Sequence, residues 1–293
     1  MTADDGAARH GRGIVLMLAT VVLFSFMDAA AKWLSRDIPV LQIVWARYVL
    51  FLALGLAPAL RLGIVPLART RRPALQLARS AFLVGSTLCA LTAYTHLPLA
   101  DANAIGSTAP LIVTILSAAV LGEAVGIRRW SAVIAGFIGV LVIVRPGIAT
   151  VDWYAAFPLG AACLYASYQI ATRVLSTIDT GATTLFYSGA VGAVALSAVV
   201  PFVWVPPTWQ QWGLLALVGL LGSAAHLCII QALTAAPASL LQPFAYVQLP
   251  CMVALGFVVF DDFPDALTFL GAGIIVASGL YTWHRTRLRA RER

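Results

Sequence analysis

Residues 88–98, LCALTAYTHLP, return as residues 227–237, LCIIQALTAAP, with Leu, Cys, Ala, Thr and Pro at the same spacing. An offset of 140 or 141 residues relates four further pairs: Pro110 and Pro250, Gly139 and Gly279, Lys32 and Arg173, and Ser35 and Ser176. A period of about 140 residues is far longer than the roughly 20–50 residues of solenoid repeats. The sequence therefore contains two copies of one half-domain.

The composition is that of a membrane protein. Hydrophobic residues make up 61% of the chain and charged residues 11%, with a mean hydropathy of +0.91, whereas soluble domains carry about 25% charged residues. Runs of about 18 mostly apolar residues can span the hydrocarbon as helices. Ten such runs are present, at 13–35, 41–60, 75–97, 101–121, 128–146, 154–176, 181–202, 213–235, 239–260 and 266–284. We therefore expect an all-α membrane protein of ten transmembrane helices.

The duplication divides these ten spans into two groups of five. We expect a cytoplasmic N-terminal tail over residues 1–12, a first five-helix repeat over 13–146, a second over 153–284, and a basic cytoplasmic tail over 285–293. Because each repeat crosses the membrane an odd number of times, the second repeat enters from the opposite side. The two repeats are then inverted around a central cavity, which is typical of secondary transporters.

The positions of the Lys and Arg residues predict the orientation. With the N-terminus in the cytoplasm, 15 of the 19 Lys and Arg residues lie on the cytoplasmic side, Arg79 among them, as the positive-inside rule requires. We expect a multi-pass protein of a bacterial inner membrane with both termini in the cytoplasm. The net charge of +7 reflects this topology, and we expect no nucleic-acid partner because the chain offers no solvated basic face with stacking aromatic groups.

Sequence motifs of common enzymes are missing from the chain. It contains no G-x-x-x-x-G-K-[ST], H-E-x-x-H or G-x-S-x-G motif, which argues against ATP hydrolysis, zinc proteolysis and serine hydrolysis. The four cysteines all lie within predicted helices and form no metal-binding pair. We expect no enzyme activity, no metal site and no cofactor.

Ionisable residues within predicted spans are costly and are therefore candidates for function. Asp28 lies about seven residues before the outer end of the first span, and Arg47 about seven residues after the outer start of the second, so the two share a depth. Lys32 follows Asp28 by one turn on the same helix face. This cluster either fixes the packing of two helices, binds a zwitterionic or anionic substrate, or forms a proton-linked gate. The surplus positive charge of Arg47 slightly favours a ligand that carries a carboxylate.

Other polar and aromatic residues at membrane depth are candidates for the lining of the cavity. They are Trp45, Tyr94, Tyr165, Gln169, His226 and Gln248, with Gln231 and Gln242 as further amides in the second half. Each of these also has a structural interpretation. Amides join helices, a single buried His is commonly a hydrogen-bonded packing residue, and aromatic residues form belts at the membrane surface.

Prolines interrupt the fourth and ninth spans at matching positions. Pro110 and Pro250 lie near the middle of these spans, and Pro243 adds a break near the start of the ninth. A proline removes a backbone donor and bends the helix, and matched breaks in the two halves of a transporter point to its binding site. We expect the flanking residues to face the cavity: Gly106, Ser107, Thr108, Tyr246 and Gln248. Simple kinks without ligand contact are the alternative.

Three short motifs carry a family resemblance that extends over nearly the whole chain: LPLADA at 97–102, LGE at 121–123 and APAS at 236–239. With them the chain resembles the drug/metabolite transporter superfamily, in particular its ten-span EamA-type carriers. FSFMD at 24–28 with Lys32 is similar to members described as S-adenosylmethionine or riboflavin carriers, and the fold is similar to that of YddG-type amino-acid exporters. The resemblance implies a basket-like bundle whose cavity is lined by spans one, three, four, six, eight and nine. The second half departs from the family by having Asp261-Asp262-Phe263 where a Gly-Glu pair is common.

Together these features predict a secondary transporter that moves small polar organic metabolites across the lipid bilayer by alternating access, as a monomer or homodimer. Export of amino acids, including aromatic ones, is the first hypothesis. Uptake of a larger metabolite such as S-adenosylmethionine or riboflavin is the second. A membrane scaffold without transport activity is the third.

Overall fold

The computed structural model describes residues 3–57, 63–97, 99–144, 153–261 and, in part, 266–281. The described residues form helices joined by short turns and contain no strand. The predicted tail at 285–293 and the linker between the repeats at 147–152 lie outside the described residues. The helices are α1 (Ala3–Leu34), α2 (Val40–Leu56), α3 (Ile64–Ala68), α4 (Pro73–His96), α5 (Leu99–Gly106), α6 (Ala109–Leu121), α7 (Ile127–Val144), α8 (Ala156–Leu175), α9 (Gly181–Ser197), α10 (Trp209–Ala235), α11 (Ala238–Ala245) and α12 (Gln248–Phe260).

Most of these helices coincide with long apolar stretches of the sequence. Four helical stretches are long and apolar enough to cross a membrane: Ala8–Leu34, Pro73–His96, Trp209–Ala235 and Ala238–Phe260. Shorter apolar helices occupy Val40–Leu56, Ala109–Leu121, Trp130–Gly139 and Gly181–Ser197. Local signals begin several of the helices: Pro73 is the first residue of α4, and Thr208 and Gln211 form a capping box at the start of α10.

The fourth and ninth predicted spans are each divided into two helices. The first interruption lies at Ser107–Thr108, between α5 and α6, and the second at Tyr246–Val247, between α11 and α12. Pro110 and Pro250 lie in the first turns of α6 and α12, where a missing N–H costs little because that group has no partner within the helix. Each proline thus lies in the first turn of the helix that follows the interruption.

Helices α6 and α12 also end in the same way. Gly122 follows α6 with φ 64°, and Asp261 follows α12 with φ 62°. Glycine adopts this left-handed conformation without strain, and Asp is among the few other residues that tolerate it. The departure at Asp261 therefore keeps the backbone conformation that Gly122 has in the first half.

Helix packing pairs the two halves of the chain. Helix α1 packs along α10, α4 packs along α8, and α2 packs along α9. The approach of α2 and α9 is close, because a Cβ atom on Gly189 would lie 2.5 Å from the Leu52 Cα. Small residues allow backbones to approach in this way. Because α1, α2 and α4 pack on α10, α9 and α8, the central cavity is bounded by both halves.

Candidate functional site

A central cavity of about 160 Å³ lies between the helices of both halves. Its wall includes residues of α1, α4, α5, α6, α8, α10, α11 and α12, which lie in the spans that the family resemblance implies, and residues of α2 as well. Eleven of the residues singled out in the sequence line it: Asp28, Arg47, Tyr94, Gly106, Ser107, Pro110, Tyr165, Gln169, His226, Gln242 and Gln248.

Asp28 joins helices from both halves at one part of the wall. Its Oδ2 atom accepts hydrogen bonds from the Tyr94 hydroxyl at 3.2 Å and from Gln248 Nε2 at 3.3 Å. The Tyr94 hydroxyl also lies 3.4 Å from Asn103 Oδ1, and Asn103 Nδ2 donates to the Leu99 carbonyl at 3.0 Å. A carboxylate can accept further hydrogen bonds, so Asp28 can also bind a donor group of a substrate.

Arg47 and His226 form a second polar group on the wall. Arg47 Nη2 lies 2.8 Å from His226 Nε2, and Tyr168 Oη lies 3.1 Å from His226 Nδ1. Because an arginine only donates, His226 Nε2 accepts, and the ring proton is on Nδ1, which donates to Tyr168. The ring of His226 also contacts Phe24 and Phe51 edge to face, with centroids 5.0 and 5.2 Å apart.

The charge of Arg47 is not compensated by an ion pair. The side chain is 7% exposed, and within the described part of the chain it forms no ion pair with a carboxylate, while its Nε atom has no hydrogen-bond partner. Asp28 lines the same cavity but lies beyond ion-pair distance from Arg47. The cavity therefore carries a cation that an acceptor group of a substrate can bind.

Two amides and two aromatic rings complete the wall. Gln242 Nε2 donates to Gln169 Oε1 at 3.2 Å and to the Ala238 carbonyl at 3.1 Å. The Oε1 atom of Gln242 is buried and accepts no hydrogen bond from any described residue. Phe24 and Tyr165 lie edge to face with ring centroids 6.4 Å apart. The cavity thus combines an apolar surface with a few polar groups, as small-molecule sites commonly do.

The structure places Lys32 and Trp45 away from the cavity. Lys32 Nζ donates to the Leu97 carbonyl at 3.4 Å and lies 5.4 Å from the centre of the Phe260 ring. Trp45 Nε1 donates to Ser197 Oγ at 2.9 Å. The predicted cluster of Asp28, Lys32 and Arg47 is therefore not assembled at the cavity: Lys32 is engaged at the end of α1, one turn beyond Asp28.

The two helix interruptions differ in what they present to the cavity. The first contributes Gly106, Ser107 and Pro110, whereas Thr108 Oγ1 donates back to the Ile105 carbonyl at 2.9 Å. At the second, the ring of Tyr246 packs against Gly136 of α7, where a Cβ atom would lie 2.5 Å from Tyr246 Cδ2. Tyr246 and Thr108 are not part of the wall, and neither are Pro243 and Pro250.

Several lining residues lack a strong signal in the sequence. They include Phe24, Ser86, Thr87 and Asn103. Their helical spacing is informative in retrospect: on α4, Leu83, Thr87, Leu91 and Tyr94 form one stripe of the helix surface and all line the cavity.

Arg79 extends this stripe by one turn. The sequence analysis counts it among the charges of the cytoplasmic side, and in the structure its side chain is completely buried (0% exposed) within the bundle. The reason is that α4 already begins at Pro73, so Arg79 lies in its second turn, surrounded by α8 and α9.

Comparison with known proteins identifies the family. The EamA-like transporter family matches residues 11–145 and again residues 152–282. The chain belongs to this family. The transporter is 31% identical over 294 residues to the riboflavin transporter of Vibrio cholerae serotype O1, an alignment that covers 96% of each chain.

Other relatives of the transporter carry different names. It is 28% identical over 271 residues to the pseudopaline exporter CntI of Pseudomonas aeruginosa strain PAO1, covering 91% of this chain and 94% of the exporter. It is 24% identical over 278 residues to the S-adenosylmethionine uptake transporter of Rickettsia prowazekii, covering 95% and 94%. One solved crystal structure has the same fold, with a TM-score of 0.76 at 19% identity over 94% of this chain and 97% of that chain.

These matches define the general class of the protein. Together with the apolar helices, they make it a multi-pass inner-membrane protein that transports a small molecule. Members of the family are transporters and not enzymes. The prediction of an EamA-type carrier is thereby confirmed.

Proposed function

We propose that this transporter takes up a riboflavin-like heteroaromatic metabolite by alternating access. The observation that carries the proposal is the pairing of aromatic surface with uncompensated polar groups in one cavity. Phe24 and Tyr165 can contact a planar ring system, while Arg47 and the Gln242 Oε1 atom can bind its polar edge. The imide edge of a flavin carries carbonyl acceptors beside an N–H donor and therefore matches this combination. The riboflavin transporter among the relatives supports the choice of substrate.

The proposed cycle uses ten spans arranged as two inverted repeats, residues 13–146 and 153–284, with both termini in the cytoplasm. Three features support this arrangement. The family matches the chain twice, the interruptions at Ser107 and Tyr246 fall in corresponding spans, and α1 packs on α10 as α8 packs on α4. In such proteins the two halves rock around a fixed site, so that it opens to one side at a time. A monomer is sufficient for this cycle, and a homodimer is compatible with it.

Export of amino acids is the second candidate function, and a specific observation favours it. Asp28 and Arg47 place opposite charges on the wall of one cavity. A zwitterion can bind with its ammonium group at Asp28 and its carboxylate at Arg47, and an aromatic side chain can then contact Phe24 and Tyr165. The pseudopaline exporter among the relatives supports export as a possible direction within the family.

Counterflow in proteoliposomes tests the two candidates. The purified full-length chain is reconstituted in liposomes loaded with unlabelled riboflavin, S-adenosylmethionine or tryptophan, and uptake of the same labelled compound is followed. We expect saturable counterflow of riboflavin. Counterflow of tryptophan without riboflavin would instead support the amino-acid exporter. If no compound is exchanged, both candidates fail, and a membrane scaffold becomes the better interpretation.

A further inference from the structure

Arg79 is a buried cation whose contacts are all with uncharged groups. Its Nε atom donates to Thr172 Oγ1 at 2.7 Å, and its Nη1 atom donates to Ser188 Oγ at 2.9 Å and to the Thr184 carbonyl at 3.2 Å. The guanidinium carbon lies 4.7 Å from the centre of the Tyr168 ring. Within the described part of the chain no carboxylate pairs with Arg79, and its Nη2 atom has no hydrogen-bond partner.

A completely buried cation without a counter-charge is unfavourable for stability alone. Burying an ion costs several kcal/mol unless a partner compensates it, and a neutral residue at position 79 would avoid that cost. Charged groups at membrane depth therefore commonly serve transport. The incomplete set of partners around Arg79 suggests that the residue has a second environment during the transport cycle.

The position of Arg79 indicates where that second environment lies. Leu83, the next residue on the same face of α4, lines the cavity, so Arg79 lies one helical turn, about 6 Å, beyond the wall. On α8, Gln169 lines the cavity, and Thr172, which binds Arg79, follows it by three residues on the same face. Arg79 thus lies on the continuation of the cavity toward the Pro73 end of α4.

The repeat relates the surroundings of Arg79 to those of Arg47. Arg47 reaches from α2 to α10 at His226, whereas Arg79 reaches from α4 to α9 at Ser188. In the proposed inverted repeat, α2 corresponds to α9 and α4 corresponds to α10, so the two arginines lie at corresponding interfaces. Ser188 itself occupies the position of Arg47, 141 residues later. If the halves exchange conformations in the proposed cycle, the interface at Arg79 takes the open form that the interface at Arg47 has here.

We infer that Arg79 is a second substrate-binding residue, which contacts the oxygen acceptors of the substrate when the transporter opens at the Pro73 end of α4. In the present conformation Thr172 and Ser188 hold the guanidinium and close that route. When α4 separates from α8 and α9, these hydrogen bonds break and the cation faces the opened cavity. This inference rests on the proposed transport function and adds a binding site on one side of the membrane.

Side-specific kinetics of Arg79→Gln test the inference. The full-length protein is reconstituted in one orientation, and the half-saturating concentration of labelled riboflavin is measured from each face. We expect Arg79→Gln to raise this concentration about tenfold at the face where α4 begins, since charged hydrogen bonds are lost there. At the opposite face we expect a change of less than about twofold, because Arg47 is intact. Arg79→Lys, which keeps the charge, should give an intermediate effect at the first face.

Ser188→Ala is the matched control because it removes a closing contact and keeps the cation. Losing this closing hydrogen bond raises the population of the state that is open at the Pro73 face. The half-saturating concentration at that face should therefore stay constant or fall. If Arg79 only seals the route, Arg79→Gln will behave like Ser188→Ala, and the inference is wrong. Size-exclusion chromatography checks folding. If Arg79→Gln does not fold, Arg79→Lys decides: a raised concentration at the Pro73 face supports the inference, and an unchanged or lowered one contradicts it.

The result also separates this inference from the proposed function. If the unmodified protein does not transport riboflavin, the proposed substrate is wrong. The same variants are then assayed with S-adenosylmethionine or tryptophan, whichever the protein exchanges. If the protein exchanges none of the three, both proposals fail. If the unmodified protein transports riboflavin and Arg79→Gln has the same effect on the half-saturating concentration at both faces, only the proposed role of Arg79 is contradicted.

Discussion

Arg47 and Arg79 are both buried arginines without a carboxylate partner among the described residues, yet their surroundings differ. Arg47 lines the central cavity and donates to a neutral histidine. Arg79 is enclosed by hydroxyl and carbonyl oxygens of α8 and α9. In the proposed inverted repeat the two residues lie at corresponding interfaces, one beside the cavity and one enclosed, and such an asymmetry is what the proposed alternating access requires.

Replacing Arg47 should have the largest effect on transport. Arg47→Gln removes the cation from the wall and one charged hydrogen bond, which is worth about 1.5–3 kcal/mol. We therefore expect the half-saturating concentration of the transported substrate to rise about thirtyfold. Uptake into proteoliposomes measures the change. The control is Trp45→Phe on the same helix, which lies outside the cavity and should stay within about twofold. Unchanged half-saturation in Arg47→Gln would remove Arg47 from the binding site.

Substitutions at two glycines of α10 test the position of the Arg47 side chain separately from the packing of α2. A Cβ atom on Gly222 would lie 3.0 Å from Arg47 Nε, whereas one on Gly219 would lie 2.6 Å from Leu50 Cδ2. Gly222→Ala should therefore displace the guanidinium and raise half-saturation about tenfold, because directed hydrogen bonds weaken steeply with misalignment. Gly219→Ala should lower thermal stability through overpacking, by about 1–3 kcal/mol, with half-saturation unchanged. Equal kinetics for the two variants would show that Arg47 tolerates displacement.

Glu123 provides a test where the end of α6 meets the start of α11. Its carboxylate accepts from the backbone N–H groups of Ala238 and Ser239, both at 3.1 Å, and from Ser239 Oγ at 2.7 Å. It also lies 3.8 Å from Arg173 Nε, so it ties the end of α6 to the start of α11. Glu123→Ala removes a helix cap worth about 1 kcal/mol, which shifts a conformational equilibrium about fivefold toward the state open at the Pro73 face. Side-specific half-saturation measures the shift, and a lower thermal stability without any shift would make Glu123 a purely structural residue.

The sequence predicts many of the residues that line the binding site, but not which residues they contact. Asp28 and Gln169 occupy matching positions in the two repeats, as do Thr87 and His226, and all four line the cavity. Periodicity and repeat offset are properties of the helices themselves, so they can be read along the chain.

Partner choice depends on residues far apart in the sequence. In the sequence, Arg79 is one of the positive charges that predict the topology. Its hydrogen-bond partners Thr172 and Ser188 follow about a hundred positions later in the chain. The sequence predicts that Tyr246 faces the cavity, but its ring packs away from the cavity, against Gly136. These contacts depend on which helices pack together, which a single sequence does not contain.

Tyr168 connects the two arginines and allows the finest test of their difference. Its hydroxyl accepts from His226 on the side of Arg47, while its ring lies beneath Arg79. Tyr168→Phe keeps the ring and removes only the hydroxyl, so His226 loses the partner that fixes its proton on Nδ1. A neutral hydrogen bond contributes about 1 kcal/mol, and water can replace part of it at His226, which lines the cavity, so we expect the half-saturating concentration to rise about threefold. The rise should appear only at the face where Arg47 binds the substrate. An equal rise at both faces would mean that Tyr168 couples the two interfaces, so that the arginines do not act in separate conformations.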